Sequence, residues 1–273
     1  MFSDLTLLQW FLVGFAALLI GLSKAGFGLG AGLVAVPLMV HVLGAGQGLG
    51  FMLLVLIVGD LTSLPHYPAD WDRRNLFSLM PGLVLGVCAG WAVLGFFGNM
   101  EHGELWLARS VGALCVLFVG LQVAREFMAR KSTEEEAVGW RPPRPLGMAV
   151  GTGAGLSSTL AHAGGPVIGL YLIPQALGRR VFVGTVLRYF FAANMLKLVP
   201  YIAESKITGD SVLLTLCVAP VVLAGSYAGS RLNRVFSDRL FRWLIYAVAL
   251  AAGVMLLTKQ QQAPAAAEGN APV

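Results

Sequence analysis

Residues 21–32, with the sequence GLSKAGFGLGAG, hold five glycines and one lysine within an otherwise apolar stretch. Each glycine inside a helix costs about 1 kcal/mol relative to alanine, because glycine loses the most backbone freedom on folding. We therefore expect a helix to break within this stretch. The lysine at position 24 makes the break a candidate functional site.

A related stretch, GTGAGLSSTLAHAGGP, occupies residues 151–166. Proline lacks an amide hydrogen, so Pro166 also favours a helix break there. When residues 20–44 are placed over residues 154–178, seven positions are identical without a gap. These positions are Gly21, Leu22, Ser23, Gly30, Leu38, Leu43 and Gly44. The shared register predicts that the chain contains one unit used twice.

The same register continues beyond the two glycine-rich stretches. It pairs Asp60 with Asn194 and Tyr67 with Tyr201, again 134 residues apart. After a further shift of five residues, the segment at 81–90 also matches the segment at 220–229. Agreement across several segments supports an internal duplication.

The composition is that of an integral membrane protein. Apolar residues make up 57% of the 273 residues and charged residues only 12%, and the mean hydropathy of +0.75 is too high for a soluble domain. The apolar runs are long enough for helices, whereas barrel strands would alternate over about ten residues. We predict an all-α polytopic membrane protein with segments near residues 7–22, 29–43, 47–66, 76–98, 105–123, 146–161, 164–177, 182–203, 211–230 and 240–257.

The segments form two units of five, at about residues 5–124 and 146–258, within one transmembrane domain. The first two segments of each unit are short and meet at the glycine-rich stretches. We expect each pair to form a broken-helix or re-entrant hairpin, and the sequence leaves open whether the pairs are re-entrant or full spans. The charged, proline-bearing residues 125–145 form a linker, and residues 259–273 form a low-complexity tail that we expect to be disordered.

Loop charges orient the two units. Basic residues are concentrated in the linker and in loops such as those at Arg73, Arg179 and Arg231, whereas the loops near 44–46 and 99–104 have none. The positive-inside rule places the basic loops in the cytoplasm and both termini outside the inner membrane. Two consecutive units with an odd number of segments are inverted relative to each other, as in many secondary transporters. Because the net charge of +5 is a topology signal, nucleic acid is set aside as a partner.

The three cysteines, Cys88, Cys115 and Cys217, each lie alone in an apolar run. We interpret them as small core residues and expect no disulfide, no metal site and no cofactor.

The two breaks predict an anion site. Backbone groups exposed at membrane depth need protein, water or a solute as a partner, and helix amino ends present free N–H groups with a partial positive charge. An intramembrane lysine costs about 2.5–3.5 kcal/mol and normally faces a partner or a pathway. Lys24 is therefore a candidate ligand, and the alternative is that it extends its ammonium group to a membrane interface. The second unit offers Ser157, Ser158, Thr159 and His162, although hydroxyls in membrane helices often bond to their own turn.

The third segment of each unit adds a second polar set. Asp60, Ser63 and Tyr67 share one helix face, and Asn194, Lys197 and Tyr201 repeat that spacing. Lys24 and Lys197 would neutralise an anionic substrate, while Asp60 would pair with a lysine or carry a coupling proton. The alternative is that Asp60 and Lys197 lie near segment ends and are solvated. Arg188 lies off this face, and we expect it to reach the interface instead.

These residues resemble the TauE/SafE family of sulfite exporters over about residues 7–257. The resemblance is carried by GLSKAGFGLGAGLVAVPLM in the first unit, and by GLSSTLAHAGGP and RYFFAANMLK in the second. It implies a duplicated helical transporter for small sulfur-containing anions such as sulfite or organosulfonates, and it implies export. Lys24, in place of a purely glycine-rich opening, indicates a subgroup whose substrate can differ.

We predict a secondary transporter that moves such an anion by alternating access through the lipid bilayer. It is not expected to be an enzyme. A proton is the candidate coupling ion and a homodimer the candidate assembly. The alternatives are a transporter or channel for a carboxylate, sulfate or thiosulfate, and an intramembrane enzyme using His162 with Ser157 or Ser158. Besides Asp60, the candidate site residues are Ser23, Lys24, Gly26, Gly28, Ser157, Ser158, Thr159, His162, Gly164, Gly165, Asn194 and Lys197.

Overall fold

The computed structural model describes residues 5–26, 31–129, 141–232, 247, 250–251 and 253–258. These residues fold into helices joined by short turns, and no strand occurs among them. The prediction of an all-α fold is confirmed. The tail at 259–273 and most of the segment predicted at 240–257 lie outside the described residues.

The helix order follows the apolar runs of the sequence. The helices described between residues 7 and 232 are α1 (Leu7–Gly26), α2 (Ala31–Leu43), α3 (Ala45–Ser63), α4 (Arg73–Gly98), α5 (Gly103–Ala129), α6 (Arg144–Ala161), α7 (Gly164–Leu172), α8 (Arg179–Ala203) and α9 (Gly209–Leu232). Short 3-10 helices at Leu64–His66 and Ile173–Gln175 extend α3 and α7. Helices α5 and α6 both reach slightly into the segment assigned to the linker.

Six of the described helices are long and apolar enough to cross a membrane, namely α1, α3, α4, α5, α8 and α9. The chain is therefore a multi-pass membrane protein, as predicted. Helices α2 and α7 are shorter, with 13 and 9 residues. Each short helix begins near the end of a glycine-rich stretch and packs against the helix before it, and the pairs α1–α2 and α6–α7 are called the first and second hairpins below.

The first glycine-rich stretch is helical at its beginning and at its end. Helix α1 continues through Gly21 to Gly26, and α2 begins at Ala31. Helix α6 likewise continues to Ala161, so the join in the second hairpin is confined to His162 and Ala163. Several of the glycines therefore lie inside helices, where they serve packing.

Helix α1 packs closely against α9, and α6 packs in the same way against α4. A Cβ atom built on Gly225 would lie 3.2 Å from the Cα atom of Gly21, and one built on Gly155 would lie 3.2 Å from the Cα atom of Gly86. Glycine pairs let the backbones approach this closely. The register of the sequence equates Gly21 with Gly155 and Gly86 with Gly225, so equivalent glycines form both of these contacts between the two halves.

The loops gather into two groups. The first loop cluster comprises residues 43–47, 99–104 and 204–210. In it, the backbone N–H of Gly46 donates to Glu104 Oε2 at 2.9 Å. Lys206 Nζ lies 3.6 Å from Glu104 Oε1. The cluster thus joins the loop after α2 to the loops before α5 and after α8.

The second loop cluster comprises residues 64–75, 141–144 and 173–180. Arg180 Nη2 donates to Asp70 Oδ2 at 2.6 Å, and Asn75 Nδ2 donates to Gln175 Oε1 at 2.8 Å. Helix α4 begins in this cluster and ends in the first one. Its 26 residues span about 39 Å at 1.5 Å per residue, so the clusters lie at opposite ends of the helical bundle.

The two hairpins start from opposite ends of the molecule. Leu5, before α1, and Leu43, at the end of α2, line one small cavity together with Asp210 of the first loop cluster. The second hairpin begins at Arg144, whose carbonyl accepts a bond from Ser78, and ends at Gln175. Both of its arms therefore meet the second loop cluster.

The prediction that all three cysteines are core residues is wrong for two of them. Cys115 is buried, whereas Cys88 and Cys217 are exposed. In a membrane protein, outward positions face lipid and accept the same apolar side chains as the core. Hydrophobicity alone therefore cannot separate the two environments.

Candidate functional site

The start of α2 approaches the join between α6 and α7. A Cβ atom built on Gly32, near the start of α2, would lie 2.9 Å from the carbonyl oxygen of His162. His162 caps the end of α6 in the left-handed region, with φ of 49°. Gly26 ends α1 and Gly164 begins α7. Gly28 lies outside the described residues.

Asp60 of α3 is bonded from two other helices. Lys24 of α1 donates to its Oδ1 and forms an ion pair with it. Asn194 of α8 donates from Nδ2 to Asp60 Oδ2 at 2.6 Å. Lys24 is 8% exposed, Asp60 is 0% exposed and Asn194 is 1% exposed. Asp60 is therefore neither solvated nor at an interface, contrary to the alternative considered from the sequence, and its charge is balanced by Lys24.

Lys197 of α8 is completely buried but is held only by neutral groups. Its ammonium nitrogen donates to Ser158 Oγ at 3.0 Å and to the Ser158 carbonyl at 3.2 Å. A third bond joins it to Nδ1 of His162 at 2.9 Å. Within the described part of the chain, no carboxylate forms an ion pair with Lys197.

With Lys197 protonated, the bonds of His162 indicate one tautomer. Because the Lys197 ammonium group can only donate, we assign Nδ1 as the acceptor. Nε2 then carries the hydrogen and donates to the carbonyl of Leu49 at 3.0 Å. In this arrangement the imidazole is neutral, so His162 adds no charge to the site.

Two tyrosines donate hydrogen bonds to the hairpins from positions that are equivalent in the sequence register. Tyr67 donates to the carbonyl of Ala25 at 2.9 Å, and Tyr201 donates to the carbonyl of Thr159 at 2.7 Å. The sequence register equates both the donors and the acceptors of these two bonds. Each tyrosine binds a carbonyl in the last turn of its hairpin's first helix, where intrahelical partners are missing.

Phe190 belongs to the site but was not among the predicted residues. The ammonium group of Lys24 lies 5.6 Å from the centre of its ring. A Cβ atom on Gly164 would lie 3.1 Å from the same ring. Phe190 shares a face of α8 with Asn194 and Lys197, at positions i, i+4 and i+7. That spacing was visible in the sequence, but apolar residues are too common in this chain for one to stand out.

The network comprises Lys24, Asp60, Ser158, His162, Asn194 and Lys197. The hydroxyls of Ser157 and Thr159 donate to carbonyls of their own helix, those of Gly153 and Gly155, each at 2.8 Å. This matches the alternative that such hydroxyls bond to their own turn. Ser23 is buried on α1, and Gly165 is half-buried in the first turn of α7.

Arg188 points away from this network. Its Nη2 donates to the carbonyls of Tyr67 and Pro68, each at 2.8 Å. Its guanidinium group also lies 5.2 Å from the ring centre of Trp71. The residue therefore fastens the second loop cluster to α8.

Two buried polar atoms near the network have no hydrogen-bond partner among the described residues. They are Ser63 Oγ and Asn194 Oδ1. Buried polar atoms are normally bonded, so each marks unused hydrogen-bonding capacity. In the described residues, no group of three or more His, Cys, Asp or Glu side chains could hold a metal ion.

One of three comparisons with known proteins found a match. A family model described as "Sulfite exporter TauE/SafE" matches residues 13–256, nearly the whole chain. Searches against curated proteins and against solved structures gave no match.

Proposed function

The chain belongs to the TauE/SafE sulfite exporter family, and we propose that it is a secondary transporter for a small sulfur-containing anion. The substrate would be sulfite or an organosulfonate, moved out across the inner membrane by alternating access. One observation carries the proposal: Lys197 is a fully buried lysine whose side-chain nitrogen is bonded to neutral groups where the two hairpins meet.

A buried ammonium group is costly unless an anion balances it. Lys24 has Asp60 for this purpose, so Lys197 is the group left to bind a substrate. Helix α7 begins beside it, since a Cβ atom on Gly164 would lie 3.1 Å from the Cβ atom of Ser158. The free N–H groups of this first turn and its partial positive charge favour an anion at the same place. Lys197, Ser158, His162 and the amides of Gly164 and Gly165 therefore form the proposed binding set.

Alternating access is supported by the way in which the site is closed. The side chains of the network are buried, so a substrate must enter through a movement of the surrounding helices. The hairpins approach the site from opposite ends, and each could open towards its own end. Paired glycine contacts and paired tyrosine bonds also support two inverted units of five segments, the usual design of such transporters.

An enzymatic role for His162 gains no support from its contacts. Both ring nitrogens of His162 are bonded, one to Lys197 and one to the carbonyl of Leu49. The Ser157 hydroxyl bonds to its own helix. A transporter or channel for another small anion is the alternative that the test must separate.

The test is counterflow in proteoliposomes that contain the full-length protein. Vesicles loaded with unlabelled sulfite should take up labelled sulfite above its equilibrium level for a short time, because a carrier exchanges one anion for another. A channel would give flux without this overshoot. Taurine and sulfoacetate are tested in parallel, and no flux of any of these compounds would refute the proposal.

Lys197→Met should reduce counterflow to the level of empty vesicles, since it removes the cation. The matched control is Lys206→Met, which changes a lysine of the first loop cluster whose ammonium group lies beside Glu104. The control should keep most of the activity. Size-exclusion profiles must show both variants folded, and normal counterflow by Lys197→Met would contradict the proposed site.

A further inference from the structure

We infer that the site selects its substrate by charge, preferring an anion with one negative charge to an anion with two, and that Asp60 sets this preference. The inference rests on the proposed function and makes the substrate class more specific. It follows from the charges that the network holds and from their burial.

The buried charged side chains of the described chain are Lys24, Asp60 and Lys197. With Lys24 and Lys197 protonated and Asp60 ionised, these three side chains carry one net positive charge. His162 adds none, because its Nδ1 accepts a bond and its Nε2 donates one. One negative charge would balance the charge of these side chains.

Two arginines elsewhere on α8 do not alter this net charge. Arg180 is paired with Asp70 in the second loop cluster, with Nη2 and Oδ2 2.6 Å apart. Arg188 is directed to the backbone carbonyls of Tyr67 and Pro68. Neither arginine has a described contact with the network.

Burial makes the net charge of the site important for the choice of anion. Where water is excluded, an uncompensated charge is expensive and charge pairs interact strongly. A hydrogensulfite or sulfonate monoanion beside Lys197 brings the site to neutrality. A dianion leaves one negative charge in excess, unless a proton enters with it.

Asp60→Asn should reverse this preference, because the site would then carry two positive charges. The neighbouring amide can adapt to the change. Asn194 now donates to Asp60 Oδ2, and its own Oδ1 has no partner among the described residues. Rotation of the Asn194 amide would present that oxygen to the new amide group.

The experiment measures binding of methanesulfonate and sulfate to the purified full-length protein by calorimetry at neutral pH. The two ions are similar in size and tetrahedral around sulfur, but they carry one and two charges. The wild type should bind methanesulfonate more tightly by at least about tenfold, given the strength of buried charge interactions. Asp60→Asn should favour sulfate by a similar factor.

Two further variants complete the charge series. Lys24→Met with Asp60→Asn restores one net positive charge, so its preference should return to methanesulfonate. Lys197→Met leaves no net charge and should bind neither ion. A distorted site would not recover its preference in the double variant, so the series separates charge from damage.

The outcomes are distinct from those of the transport test. A wild type that favours sulfate, binds both ions equally or binds neither overturns the charge rule, even if sulfite counterflow is normal. An unchanged preference in Asp60→Asn also overturns it. If Asp60→Asn fails to fold, the wild-type ratio and the double variant still decide. Absence of all counterflow would instead refute the proposed function.

Discussion

At the scale of residues, the two buried lysines differ in their partners. Lys24 contacts a carboxylate, while Lys197 contacts a hydroxyl, a carbonyl and an imidazole. The sequence predicted both as ligands of the anion. The structure pairs Lys24 with Asp60, which makes Lys24 a stabilising residue first and leaves Lys197 as the stronger candidate for contact with substrate.

Lys24→Met should destabilise the protein strongly. Among the described residues, it leaves Asn194 as the one hydrogen-bond donor to the buried Asp60 carboxylate, and breaking a buried pair in this way typically costs about 3–5 kcal/mol. Adding Asp60→Asn removes the unpaired charge and should recover most of the loss. Denaturant unfolding in detergent measures both effects. If the second substitution adds to the loss, the ion pair does not have this role.

At the scale of elements, glycine determines how closely α1 can pack against α9. A Cβ atom on Gly21 would lie 2.3 Å from the carbonyl oxygen of Val222 and 2.8 Å from the amide nitrogen of Ser226. Both atoms belong to the backbone of α9, so neither can turn away. The helix tolerates the low propensity of glycine there because close packing compensates for it.

Gly21→Ala should therefore lower the midpoint of thermal unfolding, at a cost of about 1–3 kcal/mol for an overpacked interface. Gly14→Ala on the same helix is the matched control, since no heavy atom lies within 4 Å of its added Cβ atom. The control should be neutral or stabilising by up to about 1 kcal/mol. Equal effects of the two substitutions would show that helix propensity, and not packing, governs Gly21.

At the scale of the whole molecule, the two loop clusters define the ends of the bundle. The loops rich in arginine meet in the second cluster, through contacts such as Arg180 with Asp70. The positive-inside rule favours the cytoplasm for this cluster and the outside for the first. We keep this orientation as a prediction.

Single cysteines test the orientation in a background that lacks the three native ones. Glu101→Cys marks the first loop cluster, where the Glu101 side chain is 90% exposed. Ala69→Cys marks the exposed loop of the second. A membrane-impermeant maleimide should label position 101 in intact cells and position 69 only after permeabilisation. The reverse pattern would invert the assignment, and labelling of both from outside would contradict a membrane-spanning α4.

The helical class, the approximate spans, the two glycine-rich joins and most polar residues of the network could all be predicted from the amino-acid sequence. These features depend on local patterns: charge-free runs, spacing along one helix and a shared register. Lys24, Asp60, Ser158, His162, Asn194 and Lys197 were all identified in this way, and the structure brings them together.

Which of these groups contact each other depends on how distant helices pack. The tertiary structure paired Asp60 with Lys24 and left Lys197 to neutral acceptors, although the sequence alone offered both lysines as partners for Asp60. It also added Phe190 and turned Cys88 and Cys217 outward. The reason is physical: lipid and protein core favour the same apolar residues, so only the packing of distant helices separates them. The same packing fixes which charges are neutralised.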